Sequence, residues 1–428
     1  MKLAKLSLAA ITVASLSASA FAADSLAGMF KEGTIHGTLS AYYFNRNKPT
    51  AKSTDGTTIV NSSTSANILD FGLDLTYKTA TFNGFSAGAT VQSTHSPFAN
   101  DAAKAMYSGD MYGSGEVFSE AYLQYVNSGF FVKAGRQYIS TPLVAGSGSR
   151  MTKQSFEGYL LGYTGLPNTT LVAGYVYLFQ GRTTGGTDSA IGTFTHDFAY
   201  AGNLQKGAYT LYAVNTSIPG LKLQAQWGDA VDVANLYYVQ ADYASKTDSF
   251  SYGLSGQFNV TDYDTKVSSK NSGYYGLMAD IGVGPVSFSA AYSKIKSDAN
   301  AVPGLGYGAD NIFTAGDINT GDDYAAGQKT YKLQVGYKIN KDSHVYGYYV
   351  NADMPNADAQ SIKALSTTPV TYSVSLNSDY TGYGLGAGYK FEGTLKGLGM
   401  TAQYEVRNAK LNNISDDKRF RFKAIYSF

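Results

Sequence analysis

Arg419-Phe420-Arg421-Phe422-Lys423-Ala424-Ile425-Tyr426-Ser427-Phe428 ends the sequence with a period of two. Phe420, Phe422, Ala424, Tyr426 and Phe428 alternate with Arg419, Arg421, Lys423 and Ser427, with Ile425 the one exception. A strand sends successive side chains to opposite faces, so this segment carries one apolar face and one charged face. Three earlier windows repeat the pattern. Leu69, Phe71, Leu73, Leu75 and Tyr77 alternate with Asp70, Gly72, Asp74 and Thr76. Tyr331, Leu333, Val335 and Tyr337 alternate with Lys332, Gln334, Gly336 and Lys338, and Leu398, Met400, Ala402, Tyr404 and Val406 with Gly399, Thr401, Gln403, Glu405 and Arg407.

Extended along the chain, this pattern predicts strands at 34–45, 68–78, 85–94, 116–126, 130–138, 155–164, 170–180, 207–216, 221–228, 235–243, 249–258, 272–281, 286–294, 330–338, 343–350, 379–390, 398–407 and 419–428. That is about eighteen, an even number, as bacterial outer-membrane barrels have. All nine prolines fall between these strands, as a closed ladder needing every backbone donor requires. Connection lengths alternate. Turns such as Phe82-Asn83-Gly84, Asn127-Ser128-Gly129 and Gly282-Val283-Gly284-Pro285 are short, whereas most of the others are long, the longest being 297–328. This puts the short turns and both chain ends on one side. Short periplasmic turns with long external loops are the asymmetry of an outer-membrane barrel.

Composition points the same way. The chain has 36 Tyr, 22 Phe and 47 Gly but only 15% charged residues, against about 25% in typical soluble proteins. Aromatic residues crowd expected strand ends, as in Tyr42, Tyr43 and Phe44 or Tyr163, where membrane–water girdles lie. A soluble β-sandwich also alternates, yet its strands centre near ~5 to 6 residues, short of the ~9 to 11 that cross a bilayer at a tilt. No apolar stretch is long enough for a membrane-crossing helix. Lys2, Lys5, the apolar run 6–19 and Ala20-Phe21-Ala22 form a secretory leader, so residues 1–22 are expected to be a signal peptide and 23–428 the barrel. With no cysteine, disulfides, thiolate metal sites and cysteine nucleophiles are excluded. The formal charge of +1 gives no support for a nucleic-acid partner. No cofactor is implied.

Around 149–158 the sequence resembles the OprD-type family of substrate-specific outer-membrane porins. That family commonly carries Ser-Arg-x-x-Pro-x-x-Phe-x-Gly after the third external loop. Ser149, Arg150, Phe156 and Gly158 match it. Lys153 replaces the motif proline, Gly148 stands where an acidic residue often precedes the serine, and Glu157 occupies a position that is basic in the family. The turns Ile218-Pro219-Gly220-Leu221 and Leu166-Pro167-Asn168-Thr169-Thr170-Leu171 also look like the family's periplasmic turns. The resemblance implies an eighteen-stranded barrel and passive diffusion of small hydrophilic solutes, amino acids, carboxylates or other small nutrients among them; the departures lie beside the expected constriction, so the family's substrate preference does not carry over. Separately, the amphipathic ending on Phe428 resembles the C-terminal signal of outer-membrane proteins, which the barrel-assembly machinery recognises.

Selectivity in such a pore comes from charged side chains on the lumen face. Arg419, Arg421 and Lys423 share the polar face of the last strand, and Arg407 lies on that of the strand before. Together they form a basic strip, resembling the basic ladder of the family. Lys133 faces inward by the same alternation. Asp70, Asp74 and Glu120 are the acidic candidates, expected on an opposite wall so that a transverse field crosses the lumen. The plain alternative is that these charges only hydrate the lumen or pair with each other. The third external loop, 139–154, is the candidate constriction and carries Arg150 and Lys153; Arg150 either approaches the narrowest point or anchors the loop. Arg136 is out of phase with its strand's polar face, which calls for a bulge or a rim position near lipopolysaccharide.

Other classes fit less well. His36, His95, His196 and His344 lack a nucleophile motif and metal-binding spacing, so an enzyme is not expected. Strand-like sequence from about Thr34 leaves no room for a transporter plug. A general diffusion porin and an adhesive or structural barrel displaying 298–327 are the alternatives. The partners implied are outer-membrane lipid, lipopolysaccharide and small solutes, and a homotrimer and a monomer both fit the alternation.

Overall fold

The computed structural model describes residues 22–53, 59–186, 188–355, 362–364, 370–374, 379–410 and 415–428. The expected leader, 1–22, lies outside them except for Ala22. Eighteen antiparallel strands form one closed sheet: β1 Thr34–Ser53, β2 Ile59–Lys78, β3 Phe85–His95, β4 Gly115–Asn127, β5 Phe130–Gln137, β6 Ser155–Tyr163, β7 Thr169–Gln180, β8 Ala208–Asn215, β9 Leu221–Ala230, β10 Ala234–Lys246, β11 Phe250–Tyr263, β12 Ser272–Val283, β13 Val286–Ile295, β14 Lys329–Lys338, β15 Ser343–Asp353, β16 Tyr380–Lys390, β17 Leu398–Ala409 and β18 Asp417–Ser427. Each expected strand is present. Closure comes from β1 and β18, paired from Thr38↔Ser427 to Asn47↔Lys418.

The period of two sorts the side chains as expected. Leu254, Leu277, Leu333 and Leu385 point outward and are among the most exposed large apolar residues described. Two aromatic belts bound this apolar wall. One includes Tyr209 on Tyr175 and Tyr292 on Tyr331, with ring centroids 4.8 Å apart in both pairs. The other, at the short-turn end, includes Phe85 with Tyr125 (4.6 Å) and Phe130 with Tyr163 (4.4 Å). Asn83-Gly84 and Ser128-Gly129 adopt the positive φ pairs that two-residue hairpin turns demand.

Several local expectations are corrected. β1 and β2 continue above the external belt, so Pro49 lies inside a strand, opposite Ser63. It is tolerated because β18 pairs with β1 only as far as Asn47 and the short segment 370–373 only from Thr50, which leaves no ladder on that side at Pro49. Tyr43 joins the outer belt against Phe420, but Tyr42 and Phe44 point inward and are buried. Arg136 needs no bulge in its own strand. It shares the outward phase of Phe130 and Val132 at the external rim, pairs with Glu157 on β6 at 2.9 Å and lies over Phe194. Glu157, a departure from the family motif, is its counter-charge. A short helix, α1 (Leu26–Lys31), precedes β1 and was not foreseen.

Along β6–β12 the inner wall is covered by packed loops. Inward-facing Phe156, Val176, Phe179, Leu236, Tyr238 and Tyr274 from β6–β12 form one buried cluster with three loops. Leu143 and Val144 come from the third loop (138–154), Phe198 and Leu204 from the fourth (181–207), and Val302, Leu305 and Ile312 from the seventh (296–328). Leu305 N–H donates to Leu143 O at 2.9 Å and Gly308 N–H to Ala145 O at 3.0 Å, so the third and seventh loops are joined by backbone. Both fold inward.

The closing pair also shows why a glycine is needed at 37. Gly37 and Phe428 exchange backbone hydrogen bonds of 2.9 and 3.0 Å, and the Phe428 ring lies 2.3 Å from where a Cβ on Gly37 would stand. Gly37→Val should therefore destabilise closure by about 1 to 3 kcal/mol, as overpacking does. The check is the folded fraction after refolding, read from heat-modifiable gel migration; unchanged yield contradicts the closure account.

Candidate functional site

The third loop is strung across the lumen by polar contacts at both ends. At one end Gln226 of β9 accepts the Leu143 N–H at 2.7 Å. At the other, Ser149 O accepts from Lys423 Nζ at 2.6 Å and from the Tyr42 hydroxyl at 3.3 Å. Arg150 Nε donates to both oxygens of Asp110 at 3.0 Å, and Arg182 of the fourth loop donates to the same carboxylate at 2.7 Å. Asp110 belongs to the second loop (96–114), whose helix α2 (Asp101–Tyr107) packs over β1 and β2 through Tyr107. Burial alone would raise the Asp110 pKa, but the two guanidiniums outweigh it and hold the carboxyl well below the usual range.

The departures from the motif have physical uses. Lys153, at the proline position, donates its N–H to Gln92 Oε1 at 2.8 Å, which a proline could not do, and Gln92 returns a bond to Lys153 O at 2.8 Å. Its ammonium pairs with Asp74. Phe156 is buried in the apolar cluster, and a Cβ on Gly158 would stand 2.2 Å from Tyr175 O, where β7 shifts register.

The seventh loop turns around one carboxylate. Glu405 on β17 accepts the N–H groups of Asp317 (3.2 Å), Ile318 (3.2 Å) and Asn319 (2.6 Å), the Thr320 hydroxyl (3.0 Å) and the Tyr348 hydroxyl. Beside it Arg407 binds Asp323 at 2.6 Å and lies over the Tyr380 ring, while Arg421 Nη2 donates to Asp317 O at 2.7 Å.

The ten expected side chains lie on one arc of the barrel, from β17 through β18 and β2 to β5, and on the third loop. Arg407, Arg419, Arg421 and Lys423 converge with Arg150. Their neutralisation is unequal. Arg407 has Asp323; Arg419 and Arg46 share Asp417, at 2.8 and 2.6 Å; Arg150 and Arg182 share Asp110. Arg421 has only neutral acceptors, Gln403 Oε1 at 2.5 Å and Asp317 O, and its Nη1 is buried with no acceptor among the described residues. Lys423 has Ser149 O and the face of Tyr42, 4.5 Å away.

The acidic candidates do not form an opposite wall. Asp70 and Lys423 both lie opposite Tyr42 in register, so they are two strands apart on the same wall. Asp70 is also fully buried, accepting the Ser96 hydroxyl at 2.5 Å beneath the second loop. Asp74 is taken by Lys153. Glu120 is taken by Lys133 (3.7 Å), which itself lies over Tyr122 at 3.7 Å, and by Thr90 (2.7 Å). Sequence reasoning missed Glu405, Asp417, Arg46, Asp110, Arg182 and Asp323. Glu405 and Asp417 had a signal, since they share the polar phase of Arg407 and Arg419. Asp110, Arg182 and Asp323 sit in loops with no periodicity to read.

Two outcomes follow. Glu405→Ala strands three loop N–H groups and should destabilise the inward loop by about 3 kcal/mol or more, at 1.5 to 3 for each bond to a charged group. Single-channel recording should then show larger and noisier conductance, and quiet wild-type conductance contradicts this anchor. The Asp110 clamp, with its depressed pKa, is complete above the unfolded carboxyl value near 3.9 and is lost only as pH falls through a still lower folded value. Channel current should therefore show no titration by this group between about pH 5 and 8. Asp110→Asn, which frees two guanidiniums, should raise anion preference in the reversal potential under a salt gradient.

A family model described as outer membrane porin, OprD family, matches residues 27–423. Among solved structures, Pseudomonas aeruginosa OpdK is 15% identical with a TM-score of 0.72, covering 94% of this chain and 100% of its own. The same protein with vanillate is 14% identical, covers 94% and 100%, and has a TM-score of 0.71. Acinetobacter baumannii OccAB1 is 14% identical, covers 94% and 97%, and also has a TM-score of 0.72. No curated protein matches the sequence. With the closed eighteen-stranded barrel, the inward loops and a family match across nearly the whole chain, this protein belongs to the OprD family of outer-membrane porins, channels that pass small hydrophilic solutes.

Proposed function

We propose that the solutes preferred by this porin carry a carboxylate, amino acids included, and that they pass along the wall of β17, β18, β1 and β2. The observation that carries this is the charge left over on that wall. Arg421 and Lys423 rest on neutral acceptors, while each arginine pair shares one carboxylate and so keeps a surplus positive charge. A solute carboxylate passing this wall meets in Arg421 a guanidinium held by neutral acceptors only. In this reading Arg421 and Lys423 meet the solute. Arg150, Arg407 and Arg419 hold loops and set the field, Lys153 is the most open cation at the loop's descending end, and Lys133 with Glu120 supports the loop's base. The vanillate found with OpdK is itself a carboxylate. A general diffusion pore fits less well, since two loops narrow the lumen. Adhesion through 298–327 fits less well because that loop is folded inward.

Export by a leader ending at Ala22 and reading of Phe428 by the assembly machinery complete the proposal; the Phe428 ring stands half exposed at the barrel foot. The outward wall suits lipid or a homotrimer equally, and cross-linking in native membranes distinguishes them.

In planar bilayers, stepwise currents should be blocked saturably by carboxylates and little by uncharged solutes of equal size. Arg421→Ala should weaken that block about tenfold or more, the effect of losing one charge-assisted hydrogen bond. Equal block by charged and uncharged solutes, or an unaltered block in Arg421→Ala, contradicts the carboxylate reading.

A further inference from the structure

We infer that α1 is an interfacial anchor whose Leu26 and Phe30 insert among the acyl chains of the periplasmic leaflet, beside the barrel foot. The helix lies on the outside of the barrel. Tyr77, last in the outward row of β2, donates its hydroxyl to Phe30 O at 2.5 Å, and its ring fills the space above Gly33. Met29 is buried against Ala80, with Ala87 of the outward row of β3 packed beside it. Backbone bonds fix the segment there: Ala80 N–H donates to Met29 O at 3.0 Å and Ala23 N–H to Thr81 O at 2.8 Å.

Its height matches an interface. The helix is bonded to Ala80 in the connection that leads into Phe85, which with Tyr125 belongs to the lower aromatic belt. Its faces are sorted as well. At 100° per residue Leu26 and Phe30 share one flank, Met29 points to the barrel, and Gly28 and Glu32 fall on the flank opposite Leu26 and Phe30. Leu26 is 61% and Phe30 55% exposed to anything outside the protein, values typical of the lipid-facing wall, such as Ile35 at 62%. Since that wall already contacts lipid, the patch continues it. The occupant that fits two large apolar side chains at this level is therefore an acyl chain rather than water.

The single tryptophan, Trp227, makes the test direct. In a Trp227→Phe background, Phe30→Trp and, separately, Leu26→Trp each place one fluorophore on α1. The folded barrels, verified by heat-modifiable migration, are returned to phosphatidylethanolamine–phosphatidylglycerol vesicles. Lipids brominated near the headgroup end of the acyl chain should quench the emission roughly twofold, with aqueous acrylamide quenching only weakly. Emission that acrylamide quenches freely and brominated lipid leaves unchanged overturns the proposal. The two positions report independently, so a variant that fails to fold leaves the other to decide.

Discussion

Lipid offers no hydrogen-bond partner to a backbone amide, and the structure is organised around that constraint. Eighteen strands satisfy their N–H and C=O groups only because β18 returns to β1, which makes that pairing the condition for every other ladder. It reaches the final residue, with Gly37 and Phe428 exchanging both backbone bonds. Above the membrane the rule relaxes. β1 and β2 extend there, and Pro49 is accepted inside a strand where one side carries no ladder.

Closing the sheet creates an interior that must then be filled or wetted. Along β6–β12 it is filled. Three loops bring Leu143, Phe198 and Leu305 against inward Phe, Val, Leu and Tyr side chains, and the result is packed like the core of a soluble domain. Charged groups collect on the remaining arc, where each carboxylate has a structural partner: Glu405 gathers the turn of the seventh loop, Asp110 ties three loops through two guanidiniums, and Asp417 joins β1 to β18. Breaking one partner of such a buried pair strands the other in a poorly solvated place. The loops are thereby held without covalent cross-links in a chain that has no cysteine. Arg421 and Lys423 rest on neutral acceptors, as Glu405 rests on neutral donors.

The wall was legible in the sequence because a sheet with one apolar and one polar face must alternate. Leu69 to Tyr77 and Phe420 to Phe428 sorted themselves by that rule alone, and closure added nothing that the pattern lacked. The inward phase of Arg407, Arg419, Arg421, Lys423 and Lys133 was readable for the same reason. Loop positions obey no period, so the burial of Asp70 under the second loop and the Asp110 clamp could not be read. Closure also sets the second strand beside the last one across β1, which brings the acidic residues of β2 onto the wall of the basic ones instead of opposite it. Tyr42 and Phe44 misled in another way: an aromatic at a strand end serves a girdle only in the outward phase. Alternation holds on both sides of the wall, and only the phase separates lipid from lumen.

The central claim is that solutes travel along the β17–β2 arc and not along the packed wall of β6–β12. With no native cysteine, single substitutions test it without background. Lys423→Cys and Gln403→Cys lie on the proposed path, and Leu236→Cys and Val176→Cys lie in the apolar cluster. A bulky, charged, membrane-impermeant thiol reagent added during single-channel recording should reduce current through the first two and leave the last two unaffected. Block at Leu236→Cys or Val176→Cys, with none at Lys423→Cys or Gln403→Cys, would place the path on the other side of the lumen and contradict the account.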